Sequence, residues 1–203
     1  MVEAARRVTV DRDCDAQGAH RATATESPAE IVMFDHEFEN EAQELDADLL
    51  GCLQEVDEVL DRLTADLGDP AEIFCSSLRL VGRLPDTNPR LARAVALGGV
   101  SHVGTVSGLA DRAARDIDRG MASRRFRVAD PTAALITTAG GLAALLSARL
   151  QDSTLGADRV DTFAELALRM MGLTAAQAQE LTARPLPAWP VSEAGGDTRP
   201  VHP

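Results

Sequence analysis

Lysine and tyrosine are both absent from the 203 residues, and aromatic side chains amount to five Phe and one Trp. Without lysine a phosphate-binding loop of the usual kind has nothing after its last glycine to reach the phosphates. The run Gly98-Gly99-Val100-Ser101-His102-Val103-Gly104-Thr105 therefore reads as a helix C-terminus followed by a flexible corner. Cysteine is equally scarce. Cys14, Cys52 and Cys75 form no C-x-x-C pair and cannot close a disulfide framework, which suits a reducing cytoplasm. His20, His36, His102 and His202 lie far apart with no H-x-x-x-H spacing, so neither a metal nor a cofactor is expected. No G-x-S-x-G elbow is present, and no acid adjoins Ser101, His102 or Ser107. No catalytic residue can be assigned, and the chain is not expected to be an enzyme.

Long apolar runs are missing too, with one exception. The N-terminal MVEAARRVTVDRDCD has no apolar core, so no secretory signal is expected there. Pro131 to Ala148 is the only stretch of 18 residues without a charge, and two Gly and four Thr or Ser weaken its apolar character. A buried helix explains it better than a membrane span. Alternating strand patterns and internal repeats are absent as well, which leaves an all-α chain.

The net charge of −12 is unevenly placed. Residues 34–72 hold 14 acids and one base, whereas residues 73–203 carry 15 Arg against 12 acids. DNA affinity depends on local positive potential rather than on the total, and no basic face stands out near the N-terminus. The acidic run coincides with a sharp helical period. Leu45, Leu49, Leu53, Val56, Leu60, Leu63 and Leu67 recur at steps of three and four over 41–67, with the acids around them as a solvated face.

Asp69-Pro70-Ala71-Glu72 then starts a largely buried helix: Asp69 accepts from free amides of the first turn, Pro70 loses nothing there, and Glu72 can reach back. Pro85 is expected to end it. Asn88-Pro89 opens a helix to about Leu97, closed by Gly98-Gly99, and another runs from Val106 to about Gly120 before the basic turn Arg124-Arg125-Phe126-Arg127. Asp130-Pro131 repeats the start device for a helix to about Leu150. A helix over 158–171 follows, capped by Gly172, and Thr174-x-x-Gln177 opens a last short one. Residues 185–203 hold five of the ten prolines and are expected to be a disordered tail.

A helix that is apolar on every face needs partners on every face. The 131–150 helix and the 158–171 helix should form an antiparallel hairpin, and two hairpins around a two-fold axis make a four-helix homodimer interface. On the first helix Leu135, Ile136, Gly140, Ala143 and Leu146 are the expected interface residues. On the second they are Phe163, Ala167 and Met171.

Ile117-Asp-Arg-Gly120-Met-Ala-Ser-Arg-Arg-Phe126-Arg-Val-Ala-Asp130-Pro131-Thr-Ala-Ala-Leu135 resembles the entry into the dimerisation hairpin of tetracycline-repressor (TetR) family regulators. Asp69-Pro70-Ala-Glu-Ile-Phe74, Leu80-Val-Gly-Arg-Leu84 and the segment from Leu168 to Pro187 resemble other parts of the same C-terminal domain. The resemblance implies an all-α, TetR-like bundle with a dimerising hairpin over 41–184, preceded by a partial DNA-reading domain over 1–40. Gly18 to Glu30 looks like the turn and second helix of that head, and Phe34, His36 and Phe38 like the segment after the recognition helix. Most of the recognition helix between them is missing, and Glu41 stands where the family usually has a Lys. A helix-turn-helix works by laying that helix in the major groove. Two functions stay open. One is a cytoplasmic, ligand-responsive transcriptional repressor that binds DNA as a homodimer, with a small apolar effector lined by Phe74, Leu78, Val81, His102 and Leu109. The other is a module without DNA activity that pairs with intact family members. A membrane partner is not expected in either.

Overall fold

The computed structural model describes residues 47–101 and 108–190. The chain separates into two units, Met1–Ala42 and Gln43–Pro203, and all described residues lie in the second. Among them are eight helices and no strand: α1 (47–64), α2 (Pro70–Gly82), α3 (Leu84–Thr87), α4 (Pro89–Ser101), α5 (Gly108–Ala122), α6 (Pro131–Gln151), α7 (Ala157–Met170) and α8 (Ala175–Thr182).

The helix starts follow local chemistry. Asp69 accepts the Ala71 amide at 3.0 Å with Pro70 in the first turn, and Asp130 accepts the Ala133 amide at 3.0 Å with Pro131 in the same place. Thr174 and Gln177 close a reciprocal capping box on α8. Gly172, at φ +94°, ends α7 in the left-handed conformation that suits glycine.

Three boundaries and one helix cap differ from expectation. Pro85 sits in the first turn of α3 rather than ending α2, because a proline there forfeits no helical hydrogen bond. α4 runs on through Gly98 and Gly99 to Ser101. Glycine permits a helix to end but does not oblige it, and buried Gly98 lets α1 approach: a β-carbon there would meet Leu53 Cδ1 at 3.0 Å. Glu72 does not reach back to cap its own helix; it accepts from Arg184 instead. Residues 185–190 are no loose tail, since Leu186 packs on the core and Trp189 is buried.

α2 is the centre of the bundle, with buried residues on several faces and contacts to α3, α5, α6, α7 and α8. α4 packs along α6, and α1 packs Leu53, Val56 and Leu60 into the same core. α2 and α7 approach closely at Gly82, whose space is taken by Val160. Arginine forks tie the helices together. Asp161 on α7 accepts from Arg79 at 2.7 Å and from Arg83 at 2.8 Å. Buried Arg149 donates to the Gly82 carbonyl, to the Leu155 carbonyl at 2.6 Å and to Asp86 at 2.7 Å, so the end of α6 is pinned to the α2–α3 junction.

The turn between α5 and α6 is equally determined. Arg124 takes a left-handed φ of 59°, and the amides of Arg125 and Phe126 both donate to the Gly120 carbonyl at 2.8 Å. The Phe126 ring occupies the space of a Gly120 side chain and meets Phe74 edge-on at 5.6 Å. Arg125 pairs with Asp69 at 2.9 Å, so the basic turn also braces the start of α2. A methyl group at Gly120 has no room, because its carbon would lie 2.1 Å from Phe126 Cδ2. Gly120→Ala should therefore lower unfolding free energy by about 1–3 kcal/mol, read as an earlier urea midpoint at unchanged slope. An unchanged midpoint would mean that the ring is not seated there.

Candidate ligand-binding site

α1, α2, α4, α5 and α6 enclose a cavity of about 80 Å³. Its walls are apolar for most of their extent: Leu53 and Leu60 from α1, Phe74, Leu78 and Val81 from α2, Val95 from α4, Leu109 and Ala113 from α5, Leu135 and Leu142 from α6. That is about half of the roughly 150 Å³ engineered apolar cavity that takes benzene and far below the roughly 300–1,000 Å³ of drug-sized sites. A single small ring is the largest occupant it suits, and only with its walls drawn back.

Polar groups are few. Arg112 and Asp116 from α5, Thr138 from α6 and Ser77 from α2 line the same space. Arg112 is 5% exposed and Asp116 4% exposed, unusual burial for charged residues. The Arg112 guanidinium donates to Asp61 and, at 2.7 Å, to the Thr64 hydroxyl, which joins α5 to α1. Asp57 of α1 lies 3.8 Å from it and Asp116 3.9 Å, too far for hydrogen bonds. Burial pushes the Asp116 carboxyl above the usual carboxylate range despite Arg112 and Arg119, and burial lowers the Arg112 guanidinium despite Asp116 and Asp57.

Buried polar atoms are nearly always hydrogen-bonded. Among the described residues four are not: Asp57 Oδ1, Ser77 Oγ, Arg112 Nε and Thr138 Oγ1. Three of those residues stand in the cavity wall. A small, largely apolar space with unpartnered donors and acceptors on three helices matches a small molecule that carries polar substituents on an apolar body. Cys75, by contrast, is held as an inert thiol, its pKa pushed up to about 11 chiefly by burial.

Of the residues expected around an effector, Phe74, Leu78, Val81 and Leu109 meet at this cavity, and His102 lies outside the described residues. Sequence reasoning missed Arg112, Asp116, Ser77 and Thr138. Arg112 and Asp116 are one helical turn apart, yet in sequence such a pair looks like any exposed ion pair.

The expected interface residues divide. Ile136 is 49% exposed, Gly140 faces open space and half-buried Phe163 packs on Gly141. Ala143, Leu146, Ala167 and Met171 are buried within the one chain, and Leu135 lines the cavity. The outward apolar positions of α7 also include Leu166 and Met170, which lie outside the expected set and follow the charged Glu165 and Arg169 in sequence. Phe34, His36 and Phe38 lie outside the described residues.

The profile of the tetracyclin repressor-like C-terminal domain family matches residues 69–184. Among solved structures, RolR in complex with its ligand resorcinol is 30% identical, with a TM-score of 0.65 over 93% of this chain and 94% of that one. RolR without ligand is 32% identical, with a TM-score of 0.60 over 72% of this chain and 75% of that one. No curated protein sequence matches. The profile spans more than half of the chain and the likeness to RolR nearly all of it: the chain belongs to the tetracycline-repressor family of transcriptional regulators.

Proposed function

We propose that the chain is a ligand-responsive transcriptional repressor that acts as a cytoplasmic homodimer, with a small hydroxylated aromatic ring as its effector. The observation that carries the effector class is the unpartnered Arg112 Nε beside buried Asp116, two residues of the wall of a largely apolar cavity. A phenolic hydroxyl answers both groups at once: it accepts from the guanidinium and donates to the carboxylate. The ring answers the leucines. RolR, similar over 93% of this chain, holds resorcinol, a ring of this class.

The same arginine supplies a route for the response. Arg112 already joins α5 to α1 through Asp61 and Thr64, so an effector bound at Nε acts on two helices at once. A ligand shifts a conformational equilibrium only by its differential contacts, and these are contacts between two helices. Resorcinol should therefore bind the purified protein saturably in isothermal titration. Ala139→Leu, which grows a side chain into the cavity, should weaken binding at least about tenfold without changing the oligomeric state. Failure of the wild type to bind resorcinol would remove the effector reading.

Support for the homodimer comes from α6 and α7. α6 carries no charge from Pro131 to Ala148, yet only about a third of its most apolar stretch is buried in one subunit. Its outward positions Ile136 and Gly140 join half-buried Phe163 and the exposed Leu166 and Met170 of α7. Wild-type protein should sediment as a dimer at micromolar concentration, and Ile136→Glu with Leu166→Glu as a monomer. A dimer that survives both charges would place the interface elsewhere.

A second reading rests on the sequence of the N-terminal region, where acids stand in the place of phosphate contacts and most of a recognition helix is missing. There the chain pairs with intact family members and binds no DNA itself. Fluorescence anisotropy on DNA flanking its gene separates the two. The first reading expects saturable binding that weakens steeply with salt and is released by effector; the second expects none at low salt from a folded dimer.

A further inference from the structure

Helical threonines usually satisfy their own hydroxyls, and this domain shows the habit clearly. Thr64, Thr137, Thr162 and Thr182 each donate to the carbonyl four residues back, at 2.8, 2.8, 2.9 and 3.1 Å. Thr138 stands beside Thr137 on α6, is 5% exposed, and does not. Its Oγ1 has no partner and belongs to the cavity wall. Ser77 on α2 repeats the pattern, with Oγ buried, unpartnered and in the same wall.

Two unanswered hydroxyls in a largely apolar wall weaken the empty domain, because a buried hydroxyl without a partner keeps its full desolvation cost. Neither belongs to α5, which carries Arg112 and Asp116, so they are a second polar group around one small space. A hydroxyl donates once and accepts twice, and its proton rotates to suit. Such a pair accommodates a further oxygen of the ligand, whether that oxygen donates or accepts.

We propose that Thr138 and Ser77 read a second oxygen on the effector, so that the site selects rings bearing two hydroxyls over rings bearing one. This rests on the reading of the cavity as the effector site. One oxygen lies at Arg112 and Asp116, the other at Thr138 and Ser77, and the ring spans α2, α5 and α6. A purely apolar wall at residues 77 and 138 would tolerate the second hydroxyl without rewarding it. Hydrogen-bonding groups there reward it, because the second hydroxyl pairs groups that the smaller ring leaves as unpaired as they are in the empty domain.

Equilibrium titration of the full chain with resorcinol and with phenol tests this. The wild type should bind resorcinol about tenfold more tightly than phenol, the scale of one net hydrogen bond. Ser77→Ala combined with Thr138→Val should bring the two affinities together by weakening resorcinol while leaving phenol unchanged. Thr138→Ser, which keeps the hydroxyl, should keep the preference. Without ligand, Thr138→Val should melt at or above the wild-type temperature, since a methyl replaces an unpartnered hydroxyl of nearly the same size. Equal wild-type affinities, a preference that survives in the double variant, or a lower melting temperature for ligand-free Thr138→Val would each overturn the inference while leaving the effector site in place. Binding of neither ring by folded wild type would overturn the effector reading and this inference with it.

Discussion

A guanidinium placed almost wholly out of water sets the terms for the interior of this domain. Burying a charge is costly unless partners surround it. Arg112 draws those partners from two helices: Asp57, Asp61 and Thr64 on α1, Asp116 on its own. The arrangement explains why part of the acidic face of α1 turns inward rather than to solvent. Asp57 reaches the first turn of α5, where a side chain on Gly108 would collide with its carboxylate. The pairing is nevertheless incomplete, since Nε has no hydrogen-bond acceptor and Asp116 stands 3.9 Å away. A charge nearly but not fully satisfied favours any occupant that completes it.

Away from the cavity the same residue type does the opposite work. Arg79, Arg83 and Arg149 are matched to carboxylates and carbonyls through most of their donors, and they fix α2 to α3, α6 and α7. A chain without lysine relies on arginine for every such link, and a planar fork holds two or three acceptors where an ammonium would act as a point charge. α2 is thus rigid on the side facing α7 and α8. On the other side it presents Phe74, Ser77, Leu78 and Val81 to a space that the core leaves unfilled.

What the sequence made legible follows the range of the interaction responsible. Asp69-Pro70, Asp130-Pro131, the Thr174–Gln177 box and Gly172 act within a few residues, and each lies at the helix end its chemistry prescribes. Pro85 and Gly98-Gly99 were harder, because the same residues start, end or merely tolerate a helix according to what packs beside them. Trp189 has no periodic context in a proline-rich segment, so its burial depends entirely on the groove beside α2 that receives it. The polar residues of the cavity wall were the least visible. Arg112, Ser77 and Thr138 become distinctive through single atoms left without a hydrogen bond and Asp116 through its burial, and both are properties of three dimensions.

α6 shows why one element can be identified from sequence while its faces cannot. Its composition is nearly uniform from Pro131 to Ala148, so no hydrophobic stripe marks an inside. The neighbours decide it. α4 and α5 cover the side bearing Ala134, Thr138 and Leu142, which leaves Ile136, Thr137 and Gly140 turned outward. Thr137 and Thr138 are adjacent in sequence and opposite in role: one bonds its own helix in the open, the other is buried at the cavity with its hydroxyl free. A helix is stiff across its diameter. Whatever seats itself against Thr138 therefore presses on the rod whose other side is uncovered, and an occupant of the cavity and a cover for the outer face are felt by the same backbone.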